Sequence, residues 1–295
     1  MNMKVSGQIT SEYVSTVIKG RKRELHKGDF GKVLVIAGSK GMAGAAVLCG
    51  KAAFKAGAGL VRVAIDEELF PIIQTALPEA TCIPRQFSKQ SLAGYDAIAI
   101  GPGLGNMAEN KEMIEYIIAE YDNTVVLDAD GLNSIKAGVL KKAKGDVIIT
   151  PHIGEAKRLI PEARLINEWP KGDIHAEGSR LAIAGMLLSE TGAIVVLKGA
   201  GSIVARVESG AYINTTGNPG MATGGSGDVL TGIIAALAGQ TKSPWDSAKA
   251  GVFMHGLAGD MAAEVYGEYG MTAMDIADMT AFAFKRFDER RREGL

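Results

Sequence analysis

Five short stretches are mostly apolar on consecutive residues: 32–37 (KVLVIA), 60–65 (LVRVAI), 96–100 (DAIAI), 124–127 (TVVL) and 146–150 (DVIIT). A strand with one wet face alternates polar and apolar side chains. A strand covered on both faces does not, and such strands belong to parallel sheets held between helices. Residues 44–55 and 108–120 have helical period, so strands and helices alternate. That alternation predicts right-handed βαβ crossovers and an α/β fold with three layers, helix–sheet–helix, around a mostly parallel sheet.

The pattern changes after a helix expected at about 174–190. Strands at 193–197, 202–207 and 211–214 follow too closely for helical crossovers and predict antiparallel hairpins at one sheet edge. Helices are expected at 229–238, 245–265 and 274–292, the tail FDERRREGL being a solvated helix end. Neither a repeat nor a low-complexity linker divides the chain, so one domain over 1–295 is expected, with residues 1–25 as a lead-in too short to house a further enzymatic domain.

Charge excludes one class of function. With 32 Lys+Arg against 33 Asp+Glu the net charge is −1, without the basic excess that a nucleic-acid binder needs. A membrane span is not expected either, because the most apolar stretch, 43–64, is interrupted by Lys51, Lys55 and Arg62. The amino terminus lacks the apolar core of a signal peptide. Cys49 and Cys82 are too few for a disulfide scaffold or a cysteine zinc site, which fits a reducing cytoplasm. His26, His175 and His255 show no metal-ligand spacing, and His255 reads as a packed, hydrogen-bonded residue.

Glycine is the outlier, 38 of 295 residues, nearly twice the usual share of about 7%. Five of them fall within GNPGMATGGSGD, residues 217–228, which runs directly into an apolar helical segment. A glycine-rich loop opening a helix presents free N–H groups and the positive helix end to an anion such as phosphate. Helix capping would account for Asp228 but not for the glycines before it. A carboxylate beside a phosphate site repels the ligand, and abstracting a proton from an attacking hydroxyl is the role that gives it a purpose. A Walker A loop is absent, since Gly44–Lys51 is one residue too long and is followed by Ala52. The dinucleotide fingerprint fails at Asn106, and no G-x-S-x-G elbow follows a strand.

Further clusters stand at expected strand ends, where ligands of open α/β sheets bind. They are GSKGMAG (38–44), GPGLG (101–105), Asp128, Asp130 and Asn133 in LDADGLN, and His152 and Glu155 in TPHIGE. GPGLG is equally compatible with a tight turn, Asp130 with a loop brace and Glu155 with a helix start. Lys198 in KGAGS either reaches a phosphate or is a solvated turn lysine.

The stretches HKGDFGKVLVIAGSKGMAGAA, AIAIGPGLG, VVLDADGLN, ITPHIGEAKRL, VVLKGAG, NTTGNPGMATGGSGDVLTGIIAALAGQ and FMHGLAGDMAA, in that order, resemble the NAD(P)H-hydrate dehydratase family of the ribokinase-like superfamily. The resemblance implies a three-layer α/β/α sandwich with an antiparallel edge. It implies a nucleotide-dependent carbon–oxygen lyase that returns the S epimer of hydrated NADH or NADPH to NAD(P)H, with ADP favoured over ATP as co-substrate. By resemblance, Asp228 is the catalytic base and touches the substrate, which Ala45, Gly103, Gly105 and His152 also line. Lys198, Gly199, Ala200, Gly201, Ser202, Asn218, Gly225 and Gly227 hold the adenine nucleotide. Related kinases carry an Asn-x-x-Glu motif near Mg²⁺, and the matching stretch here is His152-Ile-Gly-Glu155, with Glu155 reaching Mg²⁺ through water. A separate epimerase for the R epimer, a homotetramer and a cytoplasmic location are also implied. Two other functions share these residues: a ribokinase-like kinase of a hydroxymethylpyrimidine or thiazole, and a nucleotide-binding sensor without catalysis.

Overall fold

Ten strands form one sheet among the residues that the computed structural model describes, 3–21, 23–105 and 107–292, with side chains as far as residue 289. They are β1 (Val5–Ile9), β2 (Lys32–Ile36), β3 (Leu60–Ala64), β4 (Thr81–Ile83), β5 (Ala97–Ile100), β6 (Thr124–Leu127), β7 (Val147–Ile149), β8 (Ile194–Leu197), β9 (Ile203–Arg206) and β10 (Gly210–Asn214). Their order across the sheet is β1-β10-β9-β8-β7-β6-β5-β2-β3-β4. Val35 of β2 pairs with Val63 of β3 on one side and Ala99 of β5 on the other, all in parallel.

Consecutive apolar residues divide between two layers, as the sequence pattern requires. Val33 and Val35 join one core, shared with the helices Ala43–Lys55, Ser226–Thr241, Pro244–Gly270 and Ala273–Arg292. Leu34 and Ile36 join the other, with Ala108–Glu120 and Glu177–Thr191. No helix of the described residues is long and apolar enough to cross a membrane.

The expected hairpins are present, with β9 antiparallel to both β8 and β10. They are not the edge, however. β1, from the segment expected to be a lead-in, pairs in parallel with β10 and covers it. Its sequence, VSGQI, is largely exposed and carries no apolar run to announce a strand. β4 at the opposite edge is only three residues long and was equally invisible. The helix Ser11–Val17 follows β1, and its Tyr13 hydroxyl donates to Asp246 while the Lys249 ammonium lies 3.9 Å from the centre of the Tyr13 ring. The final helix reaches Arg292; residues 293–295 of the expected helical tail lie outside the described residues.

Nearly every side of the Ser226–Thr241 helix is buried, so it is a central element, not a surface one. It crosses the Ala43–Lys55 helix at Gly232, where a Cβ would run into the Cys49 carbonyl oxygen. Gly232→Ala must therefore push the two helices apart, and we expect a loss of about 2–3 kcal/mol in urea-unfolding stability.

This topology decides where a site can form. β2, β3 and β5 to β8 run in one direction, and two antiparallel steps return β10 to that direction, so all of them end on one rim. The order reverses between β2 and β5, with β3 on one side of β2 and β5 on the other. Loops leaving such a switch point diverge and leave a crevice.

Candidate active site

The loops that follow β2 and β5 meet at the switch point. Gly38 N–H donates to the Pro102 carbonyl at 2.8 Å, and the Ser39 hydroxyl donates to the Gly103 carbonyl at 2.9 Å. Gly103 has φ 56°, and a Cβ on it would sit 2.8 Å from that of Ala45. Ala45 and Gly103 are thus in close contact. Gly105 N–H donates to Asp130 at 2.8 Å, so Asp130 braces the GPGLG loop, and Asn133 accepts from Arg158 at 2.7 Å.

Beside these loops stands a cluster of charges from four separate segments. Asp128 follows β6 and is 1% exposed. One of its oxygens accepts from Lys198 Nζ at 2.5 Å and the other from the Thr231 hydroxyl at 2.8 Å. Lys198 follows β8, with Glu155 Oε2 3.7 Å from its ammonium. Burial opposes the lysine's charge, but Asp128 and Glu155 outweigh it and hold the pKa above the ordinary value. Lys198 is therefore a partly buried, paired ammonium and not a solvated turn residue.

Asp228 is the third residue of the Ser226–Thr241 helix, whose N-cap is Gly225 in a left-handed conformation with φ 92°. Burial first, then the nearby Asp128, push its carboxyl up to about 7, against the opposing pull of Lys198. A Cβ on Gly227 would lie 3.2 Å from Lys198 Nζ and 3.4 Å from Asp128 Oδ2. Glycine there lets the first turn of the helix rest directly on the Lys198–Asp128 pair. An anion at this turn would meet helix N–H groups and an ammonium together. An alcohol beside it would meet a carboxylate titrating near neutrality, which suits a general base.

His152 and Glu155 hold each other in a capping box. His152 Nδ1 accepts from Gly154 N–H at 2.9 Å, and Glu155 accepts from His152 N–H at 2.8 Å. Glu155 is thus both a helix start and part of the charge cluster, while the His152 ring is exposed on the rim. Asn218 is hydrogen-bonded within its own loop and to the Pro244–Gly270 helix: its oxygen accepts from Gly220 N–H at 3.0 Å and its amide donates to Asp260 at 3.0 Å. The Ser226 hydroxyl lies 3.3 Å from His255 Nε2, and burial drives this imidazole down to about 4, so it is neutral at physiological pH.

Several supporting residues escaped the sequence reading. Thr231 lies one turn beyond Asp228 on a helix read only for its apolarity. Arg180 donates to the carbonyls of Leu197 and Ala200, on either side of Lys198. A signal for it existed, because Arg180 shares a helical stripe with the buried Ile183, Ala184, Leu187, Leu188 and Thr191. Arg85, beyond β4, donates to the Gly38 carbonyl and lies 3.4 Å from Asp66.

Among the described residues no three His, Cys, Asp or Glu side chains are grouped to hold a metal ion. Asp128 and Glu155 already have their oxygens engaged within the chain. These residues suit a cation that enters on a polyphosphate and keeps most of its water, which is the habit of Mg²⁺.

The NAD(P)H-hydrate dehydratase family model matches residues 33–281. The bifunctional NAD(P)H-hydrate repair enzyme of Moorella thermoacetica is 37% identical over 297 residues, covering 95% of this chain and 54% of that protein. The chain spans about half the length of such bifunctional relatives. The ADP-dependent (S)-NAD(P)H-hydrate dehydratase of Bacillus subtilis is 32% identical over 285 residues, covering 95% of this chain and 98% of that one. A crystal structure of the ADP/ATP-dependent NAD(P)H-hydrate dehydratase from Bacillus subtilis, co-crystallised with ATP and Mg²⁺, has a TM-score of 0.79 at 30% identity, covering 97% and 99% of the two chains. The architecture is ribokinase-like, as expected. With the family model spanning all but the two ends of the sheet-forming chain, this protein belongs to the NAD(P)H-hydrate dehydratase family.

Proposed function

We propose that the protein dehydrates the S epimer of hydrated NADH or NADPH, using the terminal phosphoryl group of an adenine nucleotide. Hydroxide is a poor leaving group, as a water pKa of about 15.7 indicates. Asp228 takes the proton of the 6-hydroxyl while that oxygen attacks the terminal phosphorus, and the bond from phosphorus to the nucleotide's bridging oxygen breaks. The substrate's C–O bond then breaks, driven by the ring nitrogen lone pair, and phosphate leaves. Loss of a proton from the adjacent ring carbon restores the dihydropyridine. The N–H groups at Gly227 and the Lys198 ammonium face the charge that develops on the phosphoryl oxygens.

The single observation behind this reading is the Asp228 carboxyl, titrating near 7 at a glycine-opened helix N-terminus beside Lys198. Ala45, Gly103, Gly105 and His152 form the substrate side, and 198–202 with Gly225 and Gly227 the nucleotide side. Asn218 then acts by holding its loop, through Gly220 and Asp260, and not through a free amide. Mg²⁺ would enter on the nucleotide, touch Glu155 through water and offset the negative charge of Asp128, Asp130, Glu155 and Asp228.

ADP is the favoured co-substrate, in keeping with the name of the Bacillus subtilis relative, which is matched nearly end to end. The chain acts as one domain in the cytoplasm, alongside a separate epimerase that supplies the S epimer. A homotetramer completes the reading, and the exposed Val265, Tyr266 and Tyr269 offer apolar surface for subunit contact. The test is to incubate the protein with hydrated NADH, Mg²⁺ and either ADP or ATP. The absorbance of NADH should return, faster with ADP. No recovery with either nucleotide, together with phosphate transfer to a pyrimidine or thiazole alcohol, would replace this reading by the kinase one.

A further inference from the structure

Two side-chain nitrogens among the described residues are buried without a hydrogen-bond partner, and they are the Nε atoms of Arg85 and Arg180. Leaving a buried donor unmet is unfavourable, so two such cases on related residues call for a physical reason. Burial also pushes both guanidinium pKa values down from their ordinary range. The two residues stand on opposite sides of the site, yet they do the same thing.

Arg180 is 6% exposed and spreads its two terminal nitrogens over neutral carbonyls, Leu197 O at 3.3 Å and Ala200 O. These flank Lys198, so the guanidinium fixes the backbone on both sides of the ammonium that meets Asp128. A Cβ on Gly199 would lie 3.2 Å from the same guanidinium, so loop and arginine are packed face to face. Arg85 reaches the carbonyls of Ala37, at 3.4 Å, and Gly38. Gly38 in turn holds Pro102, and its neighbour Ser39 holds Gly103. Arg180 uses two nitrogens of its planar fork on two carbonyls, while Arg85 reaches both of its carbonyls from one terminal nitrogen and turns the other toward Asp66, 3.4 Å away. A lysine ammonium has donors enough but is a compact point charge without the rigid plane that spaces these contacts.

We infer that Arg180 and Arg85 are positioning residues, Arg180 setting the loop that receives the nucleotide and Arg85 the loops that receive the hydrated dinucleotide. The inference rests on the site reading above, and it predicts two separate effects where a purely structural role predicts one shared effect. Each guanidinium is tied to one side of the cleft, so its loss should be felt by one ligand.

Arg180→Lys and Arg85→Lys keep the charge and lose the fork. With both substrates varied in steady state, Arg180→Lys should raise KM for the nucleotide about tenfold and leave KM for hydrated NADH within about twofold. Arg85→Lys should do the reverse. Thermal unfolding of each variant, with and without ADP, separates misfolding from displacement; should Arg180→Lys not fold, Arg180→Gln takes the same readout. Equal changes in both KM values, or lowered melting temperatures with neither KM moved, would overturn the inference. Lys198→Met keeps the two failures apart. If it weakens ADP binding while Arg180→Lys does not, the inference alone is wrong; if neither does, the nucleotide binds elsewhere and the site reading falls with it.

Discussion

Asp228→Asn is expected to lower turnover about a hundred- to ten-thousandfold, with the nucleotide's dissociation constant changed by no more than about threefold. The amide keeps the shape of the first helical turn and removes only the ability to accept a proton, so binding and chemistry part company. The intact enzyme should show a matching pH dependence. Because burial and Asp128 raise the carboxyl to about 7, kcat/KM should fall about tenfold per pH unit below that value and level off above it.

The same substitution should stabilise the fold. An aspartate whose folded-state pKa is raised from 3.8 to about 7 binds more protons folded than unfolded across that interval. Its penalty is therefore absent below about pH 3, grows as pH rises and is complete above about 7. The asparagine variant should gain nothing at about pH 3 and at most about 4 kcal/mol at about pH 8, read from urea midpoints. A variant that is inactive, binds ADP and is more stable only at the higher pH would mark Asp228 as a residue held in a strained electrostatic state for chemistry. An inactive variant that is no more stable at pH 8 would refute that account of its pKa.

The second large effect belongs to Lys198. Lys198→Met leaves Asp128, 1% exposed, with a hydroxyl in place of a cation, and about 3–5 kcal/mol of stability should be lost. Replacing Asp128 by Asn in that background should recover much of it, because a neutral amide does not need the cation. Lys198 also pulls the Asp228 pKa down, so its removal should move the remaining activity to higher pH. Urea unfolding of the two single variants and the double variant measures the coupling between the pair. Additive losses would mean that Lys198 and Asp128 do not act together.

Much of the architecture was legible because burial repeats along an element. Val33 and Val35 enter one layer and Leu34 and Ile36 the other, and no alternating strand can do that. The glycines before Asp228 announced the helix N-terminus for a similar local reason, since glycine lets the first turn lie against Lys198 and Asp128. β1 was not legible: VSGQI becomes a strand only because the edge of β10 is there to pair with. Arg180 was half legible, as a charge on an apolar stripe, but the sequence had no means of naming Leu197 and Ala200 as its partners.

Local periodicity and composition thus determined the layers, the rim on which loops must gather and the glycine-opened helix start that carries Asp228. Tertiary structure alone decided what that carboxylate is worth. Thr231 and Asp128 are 103 positions apart, and Lys198 comes from a third loop. A pattern repeating every two or four residues reports which side of one element is dry. The energy of a proton on Asp228 depends on how near charges from distant loops come and how little water lies between them, and only the folded chain sets those distances.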